Sequence, residues 1–475
     1  MLAVYKYKLT NLGTISMIEK YVFYDFETTG ISPEFDHPLQ VAAIVTDERL
    51  NEIERFDMRC QAAPHILPSP NALRVTNIEP EQTINKNLPT PFEFAQTLWK
   101  FTKDWAPACW LGYNTIAFDE PMMRQMFYQN LQPEIFATQM NGNSRLDVMK
   151  IVFATHAEAT DVLSWPVADN GHTSFKLDRL APANGFAHEN AHDALADVEA
   201  TIFILKKIKD GAPELFKKLV EAGDKTITSS LLKSFGPMEV TFRFGGNAPK
   251  TYQGCYCGSN KNNPNSIGFA DFKLNKAEEL TQASKLTVAK AVGGRPKKIR
   301  TLAVNRSETF RKIENLSQEM LEFCKTIKDA TRLQKLVSEV LDERYADVEQ
   351  TNLEVEEKIY SGLYGNSDKE LLEHFQEASW MERISIINDF NDERLKQLGK
   401  RLIAFYAPQL LTDEQRTAYK SFVQKRWSAP IDEAPWTTAE HIWASLNELK
   451  SEIDDCNWRE FYRARINSVA TLRRV

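Results

Sequence analysis

The 475-residue chain has no run of eighteen apolar residues, which excludes a hydrophobic membrane-spanning helix. Residues 1–16 lack a basic start followed by an apolar block and a small-residue cleavage site, so no secretory signal is expected. Met17 is the expected start, just ahead of a first strand at Tyr21, and N-terminal sequencing that finds residues 1–16 intact would refute this. Cysteine is sparse: of six, only Cys255 and Cys257 lie close together, and no second pair completes a metal ribbon. Free thiols and a cytoplasmic location are therefore expected. There is no internal repeat and no long low-complexity linker, which excludes solenoids and propellers.

Net positive charge is missing too. The chain carries -7, and all of that deficit lies in residues 341–475, which hold 18 Lys+Arg and 25 Asp+Glu. Residues 1–340 balance, so local stripes rather than totals must bind any polyanion. One such stripe is Lys285 to Lys312, where nine basic residues face the single acid Glu308. Lys297, Lys298 and Arg300 sit at its centre and are expected to meet substrate; a solvated loop is the plainer reading.

What the chain does contain is a set of spaced carboxylates. Tyr21 to Phe26 is an aromatic and β-branched run that reads as a buried strand ending at Thr28-Thr29-Gly30. Alternation puts Asp25 and Glu27 on one face, roughly 6 to 7 Å apart. Two acids that close repel each other and resist desolvation unless a cation lies between them. Their hard oxygens favour Mg2+ or Mn2+ over zinc. A second segment, Gly112-Tyr113-Asn114 to Asp119, leads into a helix-like MMRQMFYQNL that places Asp119 near a helix start. A third, Asn190 to Asp197, opens an amphipathic helix expected from about His192 to Lys207. Asp197 then lies one turn inside it, Asp193 serves as a capping or first-turn acid, and His192 leans over the same pocket. A helix N-terminus disfavours imidazolium, so a neutral His192 can accept a proton from water.

The same region spells His188-Glu189-Asn190-Ala191-His192, the pattern of zinc-dependent hydrolases. That chemistry needs both histidines on one continuous helix. Here Gly185 and Asn190 are poor helix formers, and no apolar stripe precedes Ala191.

Leu39 to Thr46 and Ile53 to Cys60 alternate around a polar turn and read as a hairpin. Three strands followed by acid-bearing helices indicate an α/β, ribonuclease H-like domain with a mixed sheet. Residues 235–310 combine the short β-rich runs MEVTFRF, SIGFADFKL, KLTVAKAV and IRTLAVN with Gly/Asn-rich breaks, as in a small barrel or sheet. From Ser307 onward the pattern is helical.

The three acidic segments resemble the motifs of the DEDDh 3'-5' exonucleases. The likeness extends to the bacterial exodeoxyribonuclease I family through Ser174-Phe175-x-Leu177-x-x-Leu180, Ala183-Asn184-Gly185 and NAHDALADVEAT. Gln40-x-Ala42-Ala43-Ile44, Leu111-Gly112-Tyr113-Asn114, Trp165-Pro166 and Phe26 are similar as well. Thr76-Asn77-Ile78 departs from it, since members usually carry Gly in the middle. Asn tolerates a left-handed backbone, so the turn is expected to persist.

After an N-terminal extension (1–20), the resemblance implies a three-part build: an exonuclease domain (21–212), an SH3-like β-barrel domain with flanking helices (213–345), and an all-α domain (346–475). It implies single-stranded DNA threaded through a basic channel, a docked C-terminal tail of single-stranded DNA-binding protein, and a monomer. Carried onto this sequence, Asp25, Glu27 and Asp197 hold one metal ion, Asp25 bridges to a second, and Asp119 supports that one. His192 deprotonates the attacking water, releasing nucleoside 5'-monophosphates. Thr28, Thr29 and Asn114 are expected to contact the substrate. An RNA 3'-end trimming enzyme and a non-catalytic adaptor are the alternatives; the extra 260 residues argue against the first, and the full set of acids against the second.

Overall fold

A computed structural model describes residues 20–187, 193–223, 225–306, 309–344 and 353–471. The first five strands are β1 (Lys20–Thr28), β2 (Pro38–Asp47), β3 (Glu52–Arg59), β4 (Cys109–Gly112) and β5 (Ser144–Asp147), in the sheet order β3-β2-β1-β4-β5. β1, β2 and β3 pair antiparallel, whereas β4 and β5 run parallel to β1, so the sheet is mixed as in ribonuclease H-like exonucleases.

Period-two alternation assigns the two faces of β1. Tyr21 and Phe23 enter one core with Val198, Ile202 and Leu205 of the helix Ala194–Gly211. Val22, Tyr24 and Phe26 enter the opposite core with Trp110, Met122 and Phe127. Asp25 and Glu27 continue the Tyr21–Phe23 face past the end of the apolar packing. Gly112 lets β4 end against β1, because a Cβ there would lie 2.4 Å from the Tyr24 carbonyl oxygen.

A second sheet holds β6 (Met238–Phe242), β7 (Lys250–Ser259), β8 (Ser266–Asp271), β9 (Ile299–Ala303) and β10 (Arg311–Lys312), all antiparallel, in the order β10-β6-β7-β8-β9. Among the described residues β9 and β10 do not pair, so this sheet is open rather than a closed barrel. Cys255 and Cys257 lie two apart on β7 and are buried against the helices Gln318–Asp329 and Thr331–Glu343, so their spacing reflects core packing. KLTVAKAV forms the helix Lys285–Gly293 instead of a strand. Ser284 caps it by accepting the Thr287 amide, and Val288, Ala291 and Val292 are buried at helical spacing, so tertiary packing overrides β propensity.

The C-terminal region is all-α, from Asn366–Glu377 to Asp455–Thr471. It packs directly on the first unit: Phe92, Tyr128 and Leu131 share a core with Phe375 and Leu398. Leu39, Leu67 and Leu73 share another with Trp427, Leu446 and Tyr462. No described helix is long and apolar enough to cross a membrane.

Candidate active site

The carboxylates of Asp25, Glu27 and Asp197 converge, with one oxygen from each lying within 4.8 Å of the others. Sheet and helix explain this. β1 delivers two acids on one face at its C-terminal end, and the helix Ala194–Gly211 crosses that face with Asp197 in its first turn. Asp193 caps the helix by accepting the Leu195 amide at 3.2 Å, and Arg59 of β3 lies 3.4 Å from its carboxylate. Asp119 begins the helix Asp119–Gln129, and its Oδ1 accepts the Phe26 amide at 3.0 Å, which holds it against the end of β1, outside the group of three converging oxygens.

The electrostatics among the described residues are those of mutually repelling buried carboxylates. Burial, then Asp119, Glu27 and Asp197, push the Asp25 carboxyl well above the usual carboxylate range. Burial followed by Asp197 and Asp119 raises Glu27 to about 9, with Arg59 acting weakly in the other direction. Burial raises Asp119 to about 8 even though the Phe26 amide opposes it. Carboxylates gathered in this way relieve their repulsion by holding protons or by binding a cation. An all-oxygen donor set of this kind suits a hard divalent ion.

Two grooves meet at the cluster. One, of about 490 Å³, is lined by Asn114, Phe175, Asp178, Asp197 and Arg243, the last from the turn that follows β6. The other, of about 610 Å³, is lined by Phe26, Glu27, Thr28, Phe118 and, from the helical region, Trp436 and His441.

Asn114 sits in the left-handed region (φ 66°), and Asp147 accepts its amide at 3.0 Å and the Ile116 amide at 3.4 Å. Sequence reasoning passed over Asp147, although an Asp at a strand end before an apolar helix is a capping signal; it accepts the Met149 amide as well. Thr28 faces the second groove, whereas the buried Thr29 hydroxyl donates to Asp36 at 2.9 Å and accepts the His37 amide. Lys297 and Lys298 lie on the loop before β9, half-buried and exposed respectively. Arg300 is 8% exposed, its guanidinium paired with Asp271 at 2.9 Å and lying over the Tyr252 ring, so it is bound up inside the second sheet. His192 and His188 lie outside the described residues. The helix expected from about His192 runs from Ala194, with an extended Asp193 as its cap.

Residues 22–205 match the family described as exonuclease, and residues 353–469 match the exonuclease I C-terminal domain. Exodeoxyribonuclease I of Haemophilus influenzae is 39% identical over 208 residues, 43% of this chain and 44% of the relative. In sequence, therefore, the match spans less than half the length of that relative. In fold it runs much further: exonuclease I from Methylocaldum szegediense superimposes with a TM-score of 0.78 at 25% identity, over 94% of this chain and 99% of the other. The two ends of this chain thus match an exonuclease domain and the exonuclease I C-terminal domain. Escherichia coli exonuclease I in complex with a dT13 oligonucleotide shares the fold, with a TM-score of 0.77 at 22% identity over 96% of this chain and 99% of that one. A similar fold appears in a complex of SSB and exonuclease I. This family is metal-dependent, and the acidic cluster here is of a matching kind.

Proposed function

We propose that the chain is a 3'-5' exonuclease that degrades single-stranded DNA to nucleoside 5'-monophosphates. The observation that carries this reading is the convergence of Asp25, Glu27 and Asp197 within 4.8 Å, with Asp119 beside them. Asp25, Glu27 and Asp197 would hold one divalent ion, and Asp25 with Asp119 a second; Mg2+ is the expected metal, with Mn2+ able to substitute. Such ions supply Lewis-acid stabilisation of the attacking and departing oxygens of a phosphodiester.

The protein's own part is to hold the reacting bond and to move protons. Asp119, fixed by the Phe26 amide, keeps the acidic face rigid. His192, immediately before the helix cap Asp193, accepts the proton of the attacking water. Thr28 and Asn114 line opposite grooves and meet the substrate on either side of the scissile phosphate, the 3'-terminal nucleotide lying on the Thr28 side. Lys297 and Lys298 add a surface contact to the strand.

The domain limits 21–212, 213–345 and 346–475 are retained in this reading, with the central sheet as counterpart of an SH3-like module. The tail of single-stranded DNA-binding protein is the proposed partner; a monomer in the cytoplasm is the proposed state. The structure of exonuclease I with dT13 and the SSB complex support this choice of substrate and partner over RNA. The zinc reading of His188 and His192 is disfavoured by the likeness to exodeoxyribonuclease I relatives.

The test is incubation of 3'-labelled DNA and RNA, single- and double-stranded, with Mg2+ or with EDTA. Mononucleotide release from single-stranded DNA in Mg2+ alone is expected; intact DNA with Mg2+ present, or preferential trimming of RNA, overturns the reading.

A further inference from the structure

The groove on the Asp197 side contains a cation with no acidic partner among the described residues. Arg243, from the turn between β6 and β7, reaches across to the first unit and lies over the Phe175 ring at 4.7 Å and the Phe153 ring at 5.9 Å. Those rings belong to a packed aromatic group that includes His156 and Trp165. The Arg243 Nε donates to the Asn247 carbonyl at 3.1 Å, so the guanidinium is held by its own turn and by an aromatic bed. Among the described residues it makes no ion pair, unlike Arg300 and Arg311 of the same sheet, which are paired with Asp271 and Glu158. Its terminal donors therefore remain for a ligand.

The groove tells what kind of ligand that is. Asp178 and Asp197 line it and would repel a polyanion, so a phosphate entering there needs a fixed cation. Lys176 is the other cationic lining residue, but it is an exposed side chain with no comparable bed. A planar, pre-oriented guanidinium matches a phosphodiester through two parallel hydrogen bonds, which an ammonium cannot copy.

We propose that Arg243 grips a backbone phosphate on the 5' side of the scissile bond, making the second sheet part of the substrate site. This rests on the nuclease reading above, in which Thr28 in the other groove receives the 3'-terminal nucleotide. Arg243 is then a substrate-binding residue that sets the strand's register at the carboxylates and takes no part in proton transfer.

The experiment compares wild type with Arg243→Gln and Arg243→Lys on thirteen-nucleotide oligothymidylates that carry one neutral methylphosphonate, moved linkage by linkage from the 3' end. Binding is read by fluorescence anisotropy in EDTA, KM and kcat by cleavage in Mg2+, and folding by thermal melts. In wild type, one linkage on the 5' side of the scissile bond should weaken binding by about tenfold when neutralised, the scale of one charge-assisted contact. In Arg243→Gln that penalty should vanish while those at other linkages remain, with KM raised and kcat little changed. The slope of log affinity against log salt should fall by about 0.7, as for one lost phosphate contact on a single strand. Arg243→Lys should recover part of the salt slope but not the linkage specificity. Equal penalties in wild type and Arg243→Gln at every linkage would overturn the proposal while leaving the nuclease reading intact. A wild type that binds DNA but cleaves none would remove the nuclease reading, and the anisotropy series would still decide whether Arg243 contacts phosphate.

Discussion

Two buried acidic centres in this molecule behave in opposite ways. In the helical region Glu356 is fully buried, and a single oxygen accepts Arg401 at 2.6 Å and Arg426 at 2.8 Å. Burial alone would raise its pKa, but the two guanidinium groups hold it below the usual range. At the end of β1, Asp25, Glu27 and Asp119 meet more carboxylates instead of arginines, and their pKa values rise. The first centre finds its counter-charge within the protein and fastens helices together. Among the described residues the second is offset only by Arg59, acting on Glu27, so its acids are left to take up protons or a cation, as a binding site does and a structural ion pair does not.

The comparison can be broken most severely at Asp25. Asp25→Ala should abolish turnover more completely than His192→Ala, whose loss should be roughly 100 to 10,000-fold, the scale of a missing general base. Both variants should keep most DNA binding; single-turnover assays with labelled oligonucleotide check this, and near-wild-type cleavage by His192→Ala would remove it as the base.

Glu356→Gln should do the reverse, sparing the chemistry but costing stability. Leaving Arg401 and Arg426 buried without their anion should cost about 3–5 kcal/mol, read from denaturant unfolding. If that variant unfolds like wild type, Glu356 is not the clamp described here.

The pH responses should also oppose each other. Asp25 and Glu27 of β1, and Asp119 beside them, have raised pKa values, so the unfolded chain loses their protons first. Metal-free protein should therefore lose stability as pH climbs from the ordinary carboxylate range through about 8 and 9. Added Mg2+ should raise the melting temperature more at the alkaline end of that window. Glu356, with its lowered pKa, contributes stability above the ordinary range and loses it as pH falls through its own folded value. Melting curves across pH with and without EDTA separate the two, and a Mg2+ effect independent of pH would contradict the assignment. The smallest effect is expected at Lys297 and Lys298: reversing both charges should weaken DNA binding and flatten its salt dependence without changing kcat.

Much of the first unit was readable from local pattern. The hairpin of β2 and β3, the capping role of Asp193, the start of a helix at Asp119 and the left-handed Asn77 (φ 52°) all follow from period, caps and backbone tolerance. The second sheet was less readable. Its central strand β7 contains Gly254 and Gly258 and carries a weak apolar signal, and KLTVAKAV has the composition of a strand while its buried positions are helical. The basic stripe was legible as charge but not as surface, since Arg300 and Arg311 turn inward to acids far away in the chain.

The amino-acid order alone determined which residues could do chemistry: strand alternation pairs Asp25 with Glu27, and helix phase places Asp197 one turn after its cap. Only the tertiary structure decided which charges would be neutralised inside the protein and which would not. Asp119 reaches the Phe26 amide, and Arg243 reaches an aromatic bed in another unit, because sheet order and packing bring together groups more than sixty residues apart. Periodicity acts over a turn or a strand; electrostatic environment is a property of everything that folds around a group.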